Sequence, residues 1–288
     1  MRARRGLGAV LAVPGLALLA ACGGGGDGGA SSKRPSTFAY DPSVPFRYVD
    51  RGVVNHDYPI KIHDVSYASA RSGRVHAYLV VPPGKGPFPA VIWAHGSGVT
   101  REDLLPSATW FAARGAIGLV PDDQFERDPQ LDNASDARQR AAIVQQVIDL
   151  RRGVDLLQSR HDVDPKRIAF SGLSFGAIQG AFLAGAEPRI NAFDLQSGRG
   201  RSLGPGLDPT RWIRRSHAAF LVQDGLHDQV VPRAQLGALA RATPQPKTVR
   251  WYEAQHGLND AAEHDLFRWL AKELGLAGPV VRGAVTGP

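Results

Sequence analysis

The chain of 288 residues contains one cysteine, Cys22. No disulfide framework within the chain and no cysteine-based metal site can be built from a single thiol. The apolar run at residues 7–21 is shorter than the roughly 20 residues a helix needs to cross a bilayer. A concentrated basic surface is also missing. The formal net charge is +7, but Lys and Arg are scattered among acids, with no basic stripe interleaved with aromatics. That argues against a nucleic-acid partner. The acidic stretch Asp122, Asp123, Glu126 and Asp128 lacks metal-ligand spacing and reads as a strand-end cap and solvated turn, so no metal or cofactor is expected. No internal repeat is present. What remains is a 43% hydrophobic chain, enough for a sizeable core and of a length that one α/β domain commonly takes.

The position of Cys22 gives it a meaning. Met1-Arg2-Ala3-Arg4-Arg5 is cationic and precedes the short apolar run, as in an export signal. Leu19-Ala20-Ala21-Cys22 resembles the lipobox of bacterial lipoprotein signal peptides. The resemblance implies cleavage before Cys22, lipidation of its thiol, and a protein exported and anchored to a bacterial membrane through lipid. Removal of Arg2, Arg4 and Arg5 leaves a net charge of +4. The expected organisation is a signal peptide at 1–21, then the lipidated cysteine, a Gly/Ser tether and an extended surface arm at 22–58. A catalytic domain at 59–276 and a disordered tail at 277–288 follow.

Across the domain, strand and helix signals alternate, which points to a parallel sheet covered by helices. Residues 60–68 and 75–81 read as an opening antiparallel hairpin. Strands are expected at 90–94, 116–120, 167–170, 190–195, 218–222 and 248–252. Helices are expected at 104–114, 136–158, 177–186, 233–241 and 260–274. Trp93 falls within an apolar strand and reads as core.

The most specific local signal is Gly172-Leu173-Ser174-Phe175-Gly176. An apolar strand enters it and a helical pattern leaves it. This arrangement presents a serine hydroxyl on a sharp strand-to-helix turn, with the Phe175 N–H aimed where an oxyanion would form. A second copy of the pattern, Gly200-Arg201-Ser202-Leu203-Gly204, has no strand directly before it and no helix directly after it, because Pro205, Gly206 and Pro209 follow. Ser202 therefore reads as part of a loop, a short cap over the sheet edge.

A serine needs a base, and the base needs an orienting carboxylate. After the strand at 218–222 stand Asp224 and Asp228. Asp224 adjoins Gly225 and reads as a turn residue; Asp228 lies deeper in the loop and is the expected acid. His256 follows the last strand directly and is the expected base, whereas His264 falls inside the closing helix. His227 precedes the acid, and His95 reads as structural. After the strand at 90–94, His95-Gly96-Ser97-Gly98 offers the second oxyanion donor, Ser97 N–H first and Gly96 next.

Together these segments, with Pro121-Asp122, Asp228-Gln229-Val230-Val231-Pro232 and Gln255-His256-Gly257, resemble the α/β-hydrolase superfamily. Within it the likeness is to the dienelactone-hydrolase-like and small serine esterase group, over residues 60–274. It implies an α/β-hydrolase fold, a mostly parallel central sheet with helices on both faces and a short cap. It also implies a Ser-His-Asp hydrolase acting on small-molecule esters without a cofactor. True dienelactone hydrolases carry a cysteine where this chain has Ser174, so general ester hydrolysis is the expectation. An acyl-aminopeptidase-like peptidase and a non-catalytic binding protein on the same fold are the rival readings. No propeller domain precedes the catalytic one, which weighs against the first. All three catalytic residue types stand in order, which weighs against the second.

Overall fold

The computed structural model describes residues 37–54 and 60–278. The expected lipidation at Cys22, the signal peptide, nearly all of the tether and most of the tail lie outside the described residues.

Among the described residues nine strands form one sheet: β1 (Val49–Val53), β2 (Lys61–Ala68), β3 (Arg74–Val81), β4 (Phe88–Ala94), β5 (Ile117–Pro121), β6 (Val163–Leu173), β7 (Ala192–Gln196), β8 (Ala219–Gly225) and β9 (Lys247–Tyr252). Their spatial order is β1-β2-β3-β5-β4-β6-β7-β8-β9. The β1–β2, β2–β3 and β3–β5 pairs are antiparallel, and every later pair is parallel. The helices are α1 (Leu105–Ala112), α2 (Gln124–Arg127), α3 (Asp136–Gln158), α4 (Phe175–Ala186), α5 (Pro209–Ile213), α6 (Arg233–Ala242) and α7 (Asp260–Glu273). Helices α3, α4 and α5 share one apolar core with Phe170, Phe193 and Phe220. Helices α1 and α7 share the other with Trp93 and Phe111. The central strands are apolar on both faces because both faces are covered, the usual consequence of crossover helices.

The register fixes where the chemistry sits. Ala94 pairs with Gly172, Leu173 with Gln196, Gln196 with Gln223, and Gly225 with Tyr252. The C-terminal ends of β4, β6, β7, β8 and β9 are thus level, and their loops meet along one edge. Open α/β sheets place ligands at that edge.

Three local readings are corrected. The segment before the hairpin is no mere surface arm. Phe38 is wholly buried, 5.7 Å from Phe182 and 4.6 Å from Trp212 between ring centres, and residues 49–53 add an edge strand. Arg151 and the buried Arg152 clamp this arm by donating to the carbonyls of Phe38, Pro42 and Val44. The strand expected at 167–170 runs from Val163 to Leu173, because both its neighbours extend the pairing past the apolar run. The cap carries a helix, α5: the Asp208 carboxylate accepts from the Thr210 N–H, and Pro209 occupies the first turn, where a missing N–H costs nothing.

Candidate active site

Ser174 lies between β6 and α4 with φ 55° and ψ −109°. A non-glycine residue in such a conformation costs about 1–3 kcal/mol and persists only where the surroundings over-determine it. Here its N–H donates to Gln196 O at 2.7 Å, and its carbonyl starts α4 by accepting from Ile178 N–H at 3.1 Å. The flanking glycines make the turn sterically feasible. A Cβ on Gly172 would sit 2.6 Å from the Gly176 carbonyl, and one on Gly176 would sit 2.2 Å from Ala94 O. Ser174 caps α4 by position only, for its side chain bonds no backbone N–H there. The hydroxyl is left for another partner.

That partner is His256, whose Nε2 is 2.8 Å from Ser174 Oγ. On the other side, His256 Nδ1 is 2.7 Å from Asp228 Oδ2. A carboxylate only accepts, so Nδ1 carries the proton and Nε2 presents a lone pair to the serine O–H. Asp228 is itself fixed: its Oδ1 accepts from the N–H groups of Val230 and Val231, both at 2.8 Å. The three side chains come from the loops after β6, β8 and β9. Ser197, in the loop after β7, donates its hydroxyl to the His256 carbonyl at 2.8 Å and steadies the histidine's loop. Nothing local in sequence marks that contact across 59 residues.

Asp224 is not the turn former expected of an Asp-Gly pair. It is the last but one residue of β8 and wholly buried, and neither carboxylate oxygen has a hydrogen-bond partner among the described residues. Burial, then the nearby Asp228 charge, pushes its pKa up to about 7. The neighbouring Gly225 is required by crowding instead, since a Cβ there would lie 2.5 Å from Gln255 O.

The loop after β4 packs directly on Ser174. A Cβ on Gly96 would approach Ser174 Cβ to 3.2 Å. Neither the Ser97 nor the Phe175 N–H is used by any described hydrogen bond, and both residues line one cavity of about 530 Å³. The Gly96 carbonyl faces His95 Nδ1 at 3.0 Å. His95 is buried, with its Nε2 3.0 Å from Glu126 Oε2 on α2. Burial opposes a charge on this ring, but Glu126, the Gly96 carbonyl and Asp123 outweigh it and raise the pKa. His95 thereby ties the loop to α2. Asp123 caps α2 by accepting from the Phe125 and Glu126 N–H groups, and the Phe125 ring meets Phe175 edge-on at 5.2 Å. Asp122 and Asp123 are buried, so the strand-end cap is real while the solvated turn begins only after them. Ser202 lies in a loop, its hydroxyl bonded only to Gly204 backbone among the described residues. His227 is exposed and pairs with Glu253 at 2.7 Å. Among the described residues no group of three or more His, Cys, Asp or Glu is placed to hold a metal ion.

The shared architecture identifies the fold class. An acetyl xylan esterase from Paenibacillus sp. R4 superposes with a TM-score of 0.67 at 22% identity, over 79% of this chain and 89% of that one. Acetyl xylan esterase 1 from Thermoanaerobacterium sp. JW/SL YS485 gives 0.67 at 16%, over 82% and 91%. A protein described as a dienelactone hydrolase from Klebsiella pneumoniae gives 0.60 at 18%, over 72% and 96%. The chain has the α/β-hydrolase fold. In sequence it is similar to the quorum-quenching protein AidA of Acinetobacter baumannii, 31% identical over 117 residues, which span 40% of this chain and 37% of that protein. No protein-family model matches the chain.

Proposed function

We propose that the protein is a serine hydrolase that cleaves small carboxylic esters through Ser174, His256 and Asp228. The observation that carries this reading is the pair of contacts at His256, 2.8 Å to Ser174 and 2.7 Å to Asp228, at a strained turn beside two unused N–H groups. Ser174 Oγ attacks the acyl carbon while His256 Nε2 takes its proton. The carbonyl oxygen becomes an oxyanion held by the Phe175 and Ser97 N–H groups. His256 then protonates the leaving alkoxide as the tetrahedral adduct collapses to an acyl-serine. Water, deprotonated by His256, attacks the acyl-serine and frees the acid. The Asp228 carboxylate orients the ring and stabilises the imidazolium. The esterase names among the structural neighbours agree with this chemistry but lie too far in sequence to carry a substrate over. In the test, 4-nitrophenyl acetate is given to the full chain and to Ser174→Ala. Hydrolysis that falls by about a thousandfold or more in the variant supports the reading, and equal rates reject it.

We further propose that the mature protein is exported and held on a bacterial membrane by acylation of Cys22. Several acyl chains together make such anchoring stable. A fatty-acid probe fed to producing cells is expected to label the wild type and not Cys22→Ser. Equal labelling of both refutes the anchor.

A further inference from the structure

The cavity bounded by Ser97 and Phe175 holds three arginines. Arg140 of α3 and Arg199 and Arg201 of the loop after β7 line it. Arg140 faces Asp136 at 3.7 Å, and Gly204 lies against its stem. The other two arginines differ. Among the described residues, neither Arg199 nor Arg201 has an ion-pair or hydrogen-bond partner. Arg199 is half-buried, and its Nε is shut off from solvent without an acceptor. Two acids, Asp132 and Asp136, also line the cavity, but both are exposed and one already faces Arg140. Burial, then the Arg201 charge, lowers the Arg199 pKa. Two like charges therefore stand close together, Arg199 half-buried and Arg201 exposed, and neither is paired with a carboxylate among the described residues.

A guanidinium drawn partly out of water, with its Nε shut off from solvent and unpaired, is stabilised by an anion placed against it. Guanidinium groups match a carboxylate through two parallel N–H donations. Ser97 and Phe175, whose N–H groups are assigned to the oxyanion, both line this cavity, so it opens beside the place where Ser174 would attack and can receive one side of an ester. Its volume of about 530 Å³ lies within the usual span of small-ligand sites and accommodates a short chain.

We propose that this cavity binds the acyl part of an ester whose far end is a carboxylate, with Arg199 and Arg201 holding that carboxylate. The substrate class is then the half-ester of a short dicarboxylic acid. Neutral acyl chains of the same length leave both guanidiniums uncompensated. The proposal rests on the hydrolase reading for the identity of the reacting end, and its own content is the anion specificity.

The test compares monomethyl adipate with methyl hexanoate, which has the same chain length and no charge. With the full-length wild type at low salt, kcat/KM for the half-ester is expected to exceed that for the neutral ester by tenfold or more. Arg199→Gln is expected to bring the ratio close to one, and Arg199→Lys to restore part of it. Arg268→Gln removes the same charge from exposed α7 outside the cavity and is expected to keep the wild-type ratio. Calorimetric titration of monomethyl adipate into Ser174→Ala reads binding without turnover, and the added Arg199→Gln substitution should abolish its heat. A wild type that prefers methyl hexanoate, or a ratio unchanged by Arg199→Gln, overturns the subsite while the hydrolase stands. Arg199-dependent binding without hydrolysis of any ester overturns the hydrolase while the subsite stands.

Discussion

At the scale of single residues, the decisive contrast is between two aspartates four positions apart. Asp228 spends both oxygens, on His256 and on two backbone N–H groups, while Asp224 is buried with neither oxygen engaged among the described residues. Asp228→Asn presents an amide that can donate where the histidine needs an acceptor, so the wrong tautomer is favoured. Turnover of 4-nitrophenyl acetate is expected to fall by about three to four decades, with unchanged circular dichroism. Asp224→Asn, outside this chain of contacts, is expected to stay within tenfold of the wild type. The reverse result in steady-state kinetics would move the acid to Asp224. Ser174, Asp228 and His256 could be picked out in sequence as candidates because each lies in the loop after a strand, in the order of nucleophile, acid and histidine that such folds use. Ser197 and the His95–Glu126 contact could not, because they depend on partners brought in by the fold from other segments, and the place of Arg199 in a cavity wall is likewise set by the fold.

At the scale of elements, the turn at Ser174 and the arm at Phe38 show the two limits of such reading. The turn is local: its two glycines, the strand before and the helix after lie within one short window, so the pattern exposes it. The arm is long-range. Prolines and polar residues around Phe38 read as surface, yet the ring fills space between Phe182 of α4 and Trp212 of α5, more than 140 residues away. Phe38→Ala empties that space. The cost is expected to be about 3–5 kcal/mol, which for a domain of this size lowers Tm by roughly 6–20 °C. Scanning calorimetry checks it, and a fall of less than 2 °C would show that the arm does not belong to the core. The central strands were easier to place, because helices on both faces require continuous apolar runs. Only their ends shifted, where pairing to neighbours outlasted the apolar stretch.

At the scale of the whole molecule, two carboxyls buried in the sheet tie stability to pH. Asp194 of β7 is wholly buried, with Ser171 and Gln196 donating to one oxygen, at 2.8 and 2.7 Å, and no partner for the other among the described residues. Burial pushes its pKa up to about 7, as it does for Asp224. An unfolded aspartate titrates near 3.9. Between about pH 4 and 7 the folded chain therefore keeps protons that the unfolded chain has lost. This contribution to stability is complete below about pH 4 and disappears as pH rises through about 7. Asp194→Asn removes one titration, so its Tm relative to the wild type is expected to rise by several degrees between pH 5 and pH 8. A constant difference across that range, measured by thermal melts, would show that Asp194 is ionised throughout.

The same whole-molecule view sets the final test, because the proposed mechanism makes only one of two Gly-x-Ser-x-Gly serines reactive. A fluorophosphonate reacts with a serine when a base and an oxyanion site already surround it. Ser174 has His256 at 2.8 Å and two unused N–H groups nearby, whereas Ser202 bonds only to its own loop. Intact-mass measurement of the full chain after labelling, followed by peptide mapping, is predicted to find one adduct per chain, on Ser174. Labelling is predicted to vanish in Ser174→Ala and in His256→Ala and to persist in Ser202→Ala. An adduct on Ser202, or one that survives Ser174→Ala, would contradict the account.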